Sequence, residues 1–116
     1  MAYNELLVNR VREYLADLPG VEEKKMFQGV CFMVDEKMCI CIGKQDLLCR
    51  IGAQQAELEL EKDNCRQMIN HGRVMKDFVY IEEEKVNTPK ALEYWIGLSL
   101  QYNKEAKSSK KKKKQE

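Results

Sequence analysis

Leu6, Leu7, Val11, Tyr14, Leu15 and Leu18 recur at helical spacing, with Arg10, Arg12, Glu13 and Asp17 between them. That pattern predicts an amphipathic helix over residues 4–18. Asn4 supplies a capping side chain, and Pro19-Gly20 stops the helix because proline cannot continue the ladder and glycine accepts a left-handed conformation. From Val21 to Gly52 the pattern changes to short apolar runs at 25–27, 30–34, 38–42 and 47–51, separated by Gln28-Gly29, Asp35-Glu36-Lys37 and Gly43-Lys44-Gln45-Asp46. These loops are of hairpin length. A parallel crossover takes a dozen or more residues, so the runs predict an antiparallel meander.

Residues 54–62 are rich in helix formers, with Ala53, Ala56 and Leu60 spaced for one face, and predict a short helix. Two further strands are expected at 66–70 and 78–82, joined by the polar segment 71–77, in which His71-Gly72 reads as a turn. Thr88-Pro89 then gives a cap followed by proline at the first helical position. Leu92, Trp95, Ile96, Ser99 and Tyr102 line one face of the closing helix. The order α-β-β-β-β-α-β-β-α, with strands grouped and helices at the ends, predicts an α+β fold: an antiparallel meander sheet flanked by N- and C-terminal helices and covered by helices on one side.

A chain of 116 residues has room for one ordinary domain, and 44% hydrophobic against 34% charged residues is a globular balance. The net charge of +1 conceals two populations. From Lys104 onward seven Lys oppose Glu105 and Glu116, a tail of +5, which leaves −4 on residues 1–103. A tail whose only apolar residue is Ala106 cannot bury enough surface to offset chain entropy, so a folded domain of 1–103 and a disordered Lys-rich arm of 104–116 are expected. No apolar run approaches the ~20 residues of a membrane span, and Met1 to Glu5 lack the basic-then-apolar order of a signal peptide. The expectation is a cytoplasmic protein with no membrane partner.

The five cysteines, Cys31, Cys39, Cys41, Cys49 and Cys65, are an odd number, so a complete disulfide framework is excluded and reduced, packing thiols are the simple reading. Cys39-Ile40-Cys41 has a one-residue spacer, short of the two to four usual between zinc ligands, although on a strand the pair would share a face. Cys65 beside Arg66 is the one thiol whose neighbour could favour thiolate. With His71 the only histidine, a nucleophile and base pair has little material, and no Gly-x-Ser-x-Gly surrounds a serine. The six glycines form no phosphate-cradling loop. Glu22-Glu23 and Glu82-Glu83-Glu84 read as solvated strand ends rather than general acids and bases. No catalytic residue, cofactor or metal site is therefore assigned.

Two basic clusters remain, Lys24-Lys25-Met26-Phe27 and Gly72-Arg73-Val74-Met75-Lys76, each pairing cations with Met or Phe as interfaces do. At these clusters the chain resembles the TfoX/Sxy N-terminal domain family. The likeness begins with the opening helix and Leu18-Pro19-Gly20-Val21, and runs through 22–30, Phe32-Met33-Val34 and Leu48-Cys49-Arg50-Ile51-Gly52. It closes with Gly72-Arg73-Val74-Met75-Lys76-Asp77-Phe78-Val79-Tyr80-Ile81, so that it covers roughly residues 3–102. Gln28 stands where a glycine is common, and Phe78 where a tryptophan is.

The resemblance implies a fold similar to the secretion-chaperone-like architecture and a bacterial regulatory protein without catalytic residues or a cofactor. Family members with a second, C-terminal helical domain include regulators of natural competence, whereas here the Lys-rich tail follows. The expected function is a non-enzymatic regulatory or adaptor interaction domain that binds a protein partner through Lys24, Lys25, Arg50, Arg73 and Lys76. An open sheet edge also invites pairing with a second copy. The alternative is weak, sequence-independent nucleic-acid contact through Lys110, Lys111, Lys112, Lys113 and Lys114, which would weaken steeply with salt.

Overall fold

Leu7, Val8 and Val11 recur at helical spacing and are buried along one side of the first helix, α1 (Glu5–Tyr14). The Asn4 side chain caps it, accepting from the Leu7 N–H at 3.0 Å. The chain is seen in a computed structural model that describes residues 4–26 and 29–106. Four strands follow, β1 (Val21–Met26), β2 (Gly29–Val34), β3 (Lys37–Ile42) and β4 (Asp46–Arg50), then α2 (Ala53–Glu61), β5 (Arg66–Asn70) and β6 (Arg73–Glu82). A single 3₁₀ turn at Glu83–Val86 leads into α3 (Pro89–Asn103). Thr88 caps that helix, accepting from the Ala91 N–H at 3.2 Å, with Pro89 in its first turn.

All six strands form one antiparallel sheet in the order β1-β2-β3-β4-β6-β5, so β1 and β5 are its free edges. The α+β order expected from the sequence is the observed one. Two tight turns set the hairpins: Asp35-Glu36 (φ 54° and 66°) and His71-Gly72 (φ 54° and 78°). Positive φ at both central residues is the turn whose twist matches a hairpin. The second turn is shorter than the 71–77 loop expected from the sequence, because β6 resumes at Arg73.

The three helices cover one face. Phe32, Ile40, Ile42, Leu47, Val79 and Ile81 point into a core shared with Leu7, Val11, Ala56, Leu92 and Ile96. The other face carries no helix among the described residues and buries a second cluster of Cys31, Cys41, Leu48 and Met68, packed by Met38, Met75, Phe78 and Tyr80. Asn103 ties the end of α3 to the sheet, its Nδ2 donating to the Val34 carbonyl at 3.2 Å while its own carbonyl accepts from Lys37 Nζ at 2.8 Å. Among the described residues no helix is long and apolar enough to cross a membrane.

The cysteines depart from the sequence reading in two ways. A register shift between Phe32 and Met33 on β2 sets two residues of β2 against three of β3, so Cys39 turns into the helix-side core and Cys41 onto the opposite face. Cys41 then lies directly opposite Cys31, Cα to Cα 4.0 Å, and the two are joined as a disulfide. Cys39, Cys49 and Cys65 are free.

Candidate interaction surface

The structure separates the five cations expected to form one surface. Lys24 and Lys25 are exposed on edge strand β1, with their side chains on opposite faces. Arg73 and Lys76 are exposed on β6, four strand spacings away in the sheet order, or about 19 Å. Arg50 belongs to neither cluster. At the end of β4 its side chain keeps only 16% exposure, its guanidinium stacked over Phe78 (5.6 Å) and Tyr102 (5.9 Å) and 3.8 Å from the Asp77 carboxylate. Tyr102 donates to the same carboxylate at 3.2 Å, and the Asp77 carbonyl accepts from the Ile51 and Gly52 N–H groups. Gly52 sits at φ +91° with the Tyr102 ring where a Cβ would be, which fixes the close approach of α3 to the start of α2. Arg50 therefore joins β4, β6 and α3.

The β5–β6 hairpin presents two exposed apolar side chains of its own. Around its two-residue turn the sequence mirrors itself, with Asn70 opposite Arg73, Ile69 opposite Val74 and Met68 opposite Met75. Strand alternation sends Met68 and Met75 to the helix-free cluster and Ile69 and Val74 to the helix side. Ile69 remains 61% exposed and Val74 52%. Between Ala53, Ala56 and Leu60 of α2 and Gln67, Val74 and Lys76 of the hairpin runs an open groove of about 530 Å³.

The groove is lined by one charge of each sign, Glu57 of α2 and Lys76 of β6. Arg12 is paired with Glu23, Arg66 with Asp46 and Glu82, and Lys62 with Glu59. Arg73 and Lys76 make no ion pair among the described residues. Lys24 and Lys25 also lack one, but Glu22 and Glu23 beside them keep β1 locally neutral, and among the described side chains no exposed large apolar one lies on residues 21–25. Exposed apolar side chains and unpaired cations coincide at the hairpin.

The helix that walls the groove is anchored by a residue the sequence reading passed over. Ala56, Glu59 and Leu60 share one face of α2, and Glu59 is fully buried while Leu58 is half exposed. The Glu59 carboxylate accepts from Gln55 Nε2 (2.8 Å), Asn64 Nδ2 (3.1 Å) and the Tyr94 hydroxyl of α3, with Lys62 Nζ at 3.4 Å. Burial pushes its pKa up, but the hydrogen bonds from Tyr94, Asn64 and Gln55 and the Lys62 charge outweigh burial and hold the carboxyl below its ordinary value. Of the face expected from the sequence, Ala53 is exposed.

Little here resembles a reaction centre. His71 stands exposed at the tip of the hairpin. Burial pushes the Cys39 and Cys49 thiols up to about 12. Cys65 rises to about 11 through burial and the nearby Glu59 carboxylate, and Arg66 is turned away from it toward Asp46 and Glu82, so that neighbour does not favour a thiolate. Among the described residues no group of three or more His, Cys, Asp or Glu is placed to hold a metal ion. Lys110 to Lys114 lie outside the described residues.

The family model of the TfoX N-terminal domain matches residues 13–102, which takes in every strand, α2 and nearly all of α3. No curated protein and no solved structure matches.

Proposed function

Because the chain belongs to the TfoX N-terminal domain family, we propose that it is a non-enzymatic regulatory or adaptor module that binds a protein partner through its β5–β6 hairpin. The observation that carries this reading is one hairpin that presents Ile69 and Val74, both more than half exposed, with Lys76 on their helix side and Arg73 on the opposite face beside the turn, neither cation making an ion pair among the described residues. Interfaces draw on apolar anchors ringed by cations that are desolvated only when a partner supplies the opposite charge. A fixed scaffold supports this role, since the Glu59 network holds α2 and the Arg50–Asp77–Tyr102 cluster holds the base of the hairpin. The five cations first grouped together thus divide: Arg73 and Lys76 contact the partner, Arg50 braces the fold, and Lys24 and Lys25 keep the far edge solvated.

The test is affinity capture from the native cell extract with the full chain and with Arg73→Glu/Lys76→Glu as paired baits. The reading expects a partner held by the first bait and lost from the second. Equal recovery by both would refute it.

A further inference from the structure

The two free edges of the sheet are built differently. Edge strand β1 reads Val-Glu-Glu-Lys-Lys-Met, with four consecutive exposed charges and Arg12 of α1 reaching across to Glu23 at 2.6 Å. Charged edges of this kind resist pairing with another strand. Edge strand β5 reads Arg-Gln-Met-Ile-Asn, without a lysine or proline. Its one charge, Arg66, is already tied to Asp46 at 3.1 Å and Glu82 at 2.8 Å. Counting back from the two-residue turn, the alternation of an antiparallel ladder turns the Ile69 N–H and C=O away from β6 and toward open solvent.

Resting on the reading of the hairpin as an interaction surface, we propose that β5 is a strand-addition site for an extended, acidic segment of the partner. The segment would pair its backbone with Arg66–Asn70, a strand of five residues or about 17 Å. Its side chains then alternate. Apolar residues on the helix side lie against Ile69 and the groove wall of Ala53, Ala56 and Leu60. Carboxylates at the alternate positions turn to the helix-free face, where Arg73 stands beside the turn without an ion pair among the described residues, while Lys76 on the helix side stays at the groove. A second copy of the chain fits this edge less well, because a two-fold β5–β5 pairing brings only another Arg66, Arg73 and Lys76 to the junction and no new carboxylate on the strand.

The test uses the isotope-labelled full chain and two probe peptides, acetyl-Glu-Val-Glu-Val-Glu-Val-amide and its Lys-for-Glu counterpart, followed by backbone amide shifts and hydrogen exchange. The proposal expects the acidic peptide to shift resonances between residues 66 and 76 and to slow exchange of the Ile69 amide. Affinity for Arg73→Glu/Lys76→Glu should be roughly tenfold weaker, and that variant should prefer the Lys peptide. No shift at millimolar peptide, equal binding of both peptides, or shifts confined to other elements would overturn it. An Ile69 amide already protected without peptide, in proportion to protein concentration, would overturn it in favour of self-pairing. Capture with an Ile69→Pro bait, checked for a native melting curve, separates this proposal from the reading beneath it. Loss with Ile69→Pro supports strand addition. If Arg73→Glu/Lys76→Glu loses the partner and Ile69→Pro keeps it, strand addition falls and the interaction surface stands. Retention by both baits ends both.

Discussion

Replacing Glu59 with Gln keeps the shape of the side chain and removes the charge on which four groups converge. The carboxylate oxygens accept from Gln55, Asn64 and Tyr94 and lie near the Lys62 ammonium, and an amide would turn an NH₂ toward part of that donor set. Hydrogen bonds to a charged acceptor contribute about 1.5–3 kcal/mol each, against about 1 for neutral ones. Gln55 and Lys62 can re-solvate, so the loss falls mainly on Tyr94 and Asn64, and Glu59→Gln should cost roughly 2 kcal/mol, or about 8 °C in melting temperature for a domain of this size. Folding lowers the Glu59 pKa, so the folded state binds this proton more weakly than the unfolded chain. The stabilisation is therefore complete above the unfolded value of about 4.3 and is lost as pH falls through the lower folded value. Urea titrations followed by the fluorescence of Trp95, the only tryptophan and a buried one, measure the difference directly. The reasoning fails if the variant matches the native chain at pH 7, or if the gap between them widens on acidification.

Three further outcomes follow from the packing. Gly29→Ala should destabilise by about 1–3 kcal/mol, because its Cβ would lie 2.0 Å from the Ile42 carbonyl oxygen on β3, backbone that cannot swing aside; a melting curve equal to that of the native chain would contradict the close approach. Alkylation of the unreduced chain in denaturant should add three labels, and five after reduction, as Cys31 and Cys41 are bonded. In the native state at pH 8 Cys65 should react first, though only about one thiol in a thousand is ionised when the pKa is near 11, and Cys39 and Cys49 should trail it; mass spectrometry of the labelled peptides reads the order. Arg73→Glu/Lys76→Glu should leave stability within about 0.5 kcal/mol, since neither side chain makes an ion pair among the described residues, and a larger loss in the same urea assay would mean that the hairpin cations brace the fold.

The element order was legible because its signals are local. Asn4 and Thr88 cap helices, Pro89 opens one, and apolar runs joined by hairpin-length loops force antiparallel neighbours. What depends on register was not. Cys39 and Cys41 follow simple alternation on paper, but one extra residue in β3 moves them to opposite faces, and no single residue marks that shift. In Glu57-Leu58-Glu59-Leu60 hydrophobicity favours Leu58 for the inside, yet Glu59 is the residue facing Tyr94 and Asn64, and those partners come from other parts of the chain. The segment after His71-Gly72 looked like loop because an edge hairpin leaves its polar side chains in water on both faces. The mirrored Met68/Met75 and Ile69/Val74 about that turn was the signal available for extending β6 to Arg73. The basic clusters were readable as clusters, but the sheet order that sets β1 and β6 four strands apart is a long-range property.

The central claim is that partner contact is confined to the hairpin edge. The most direct measurement places a photo-crosslinking amino acid at position 69 in one form of the chain and at position 24 in another, followed by irradiation in the native cell. The account predicts a higher-mass adduct with a partner protein from position 69 and none from position 24. Adducts from position 24 alone, or from neither position, would contradict it, and an adduct of twice the chain's own mass from position 69 would replace the partner with a second copy.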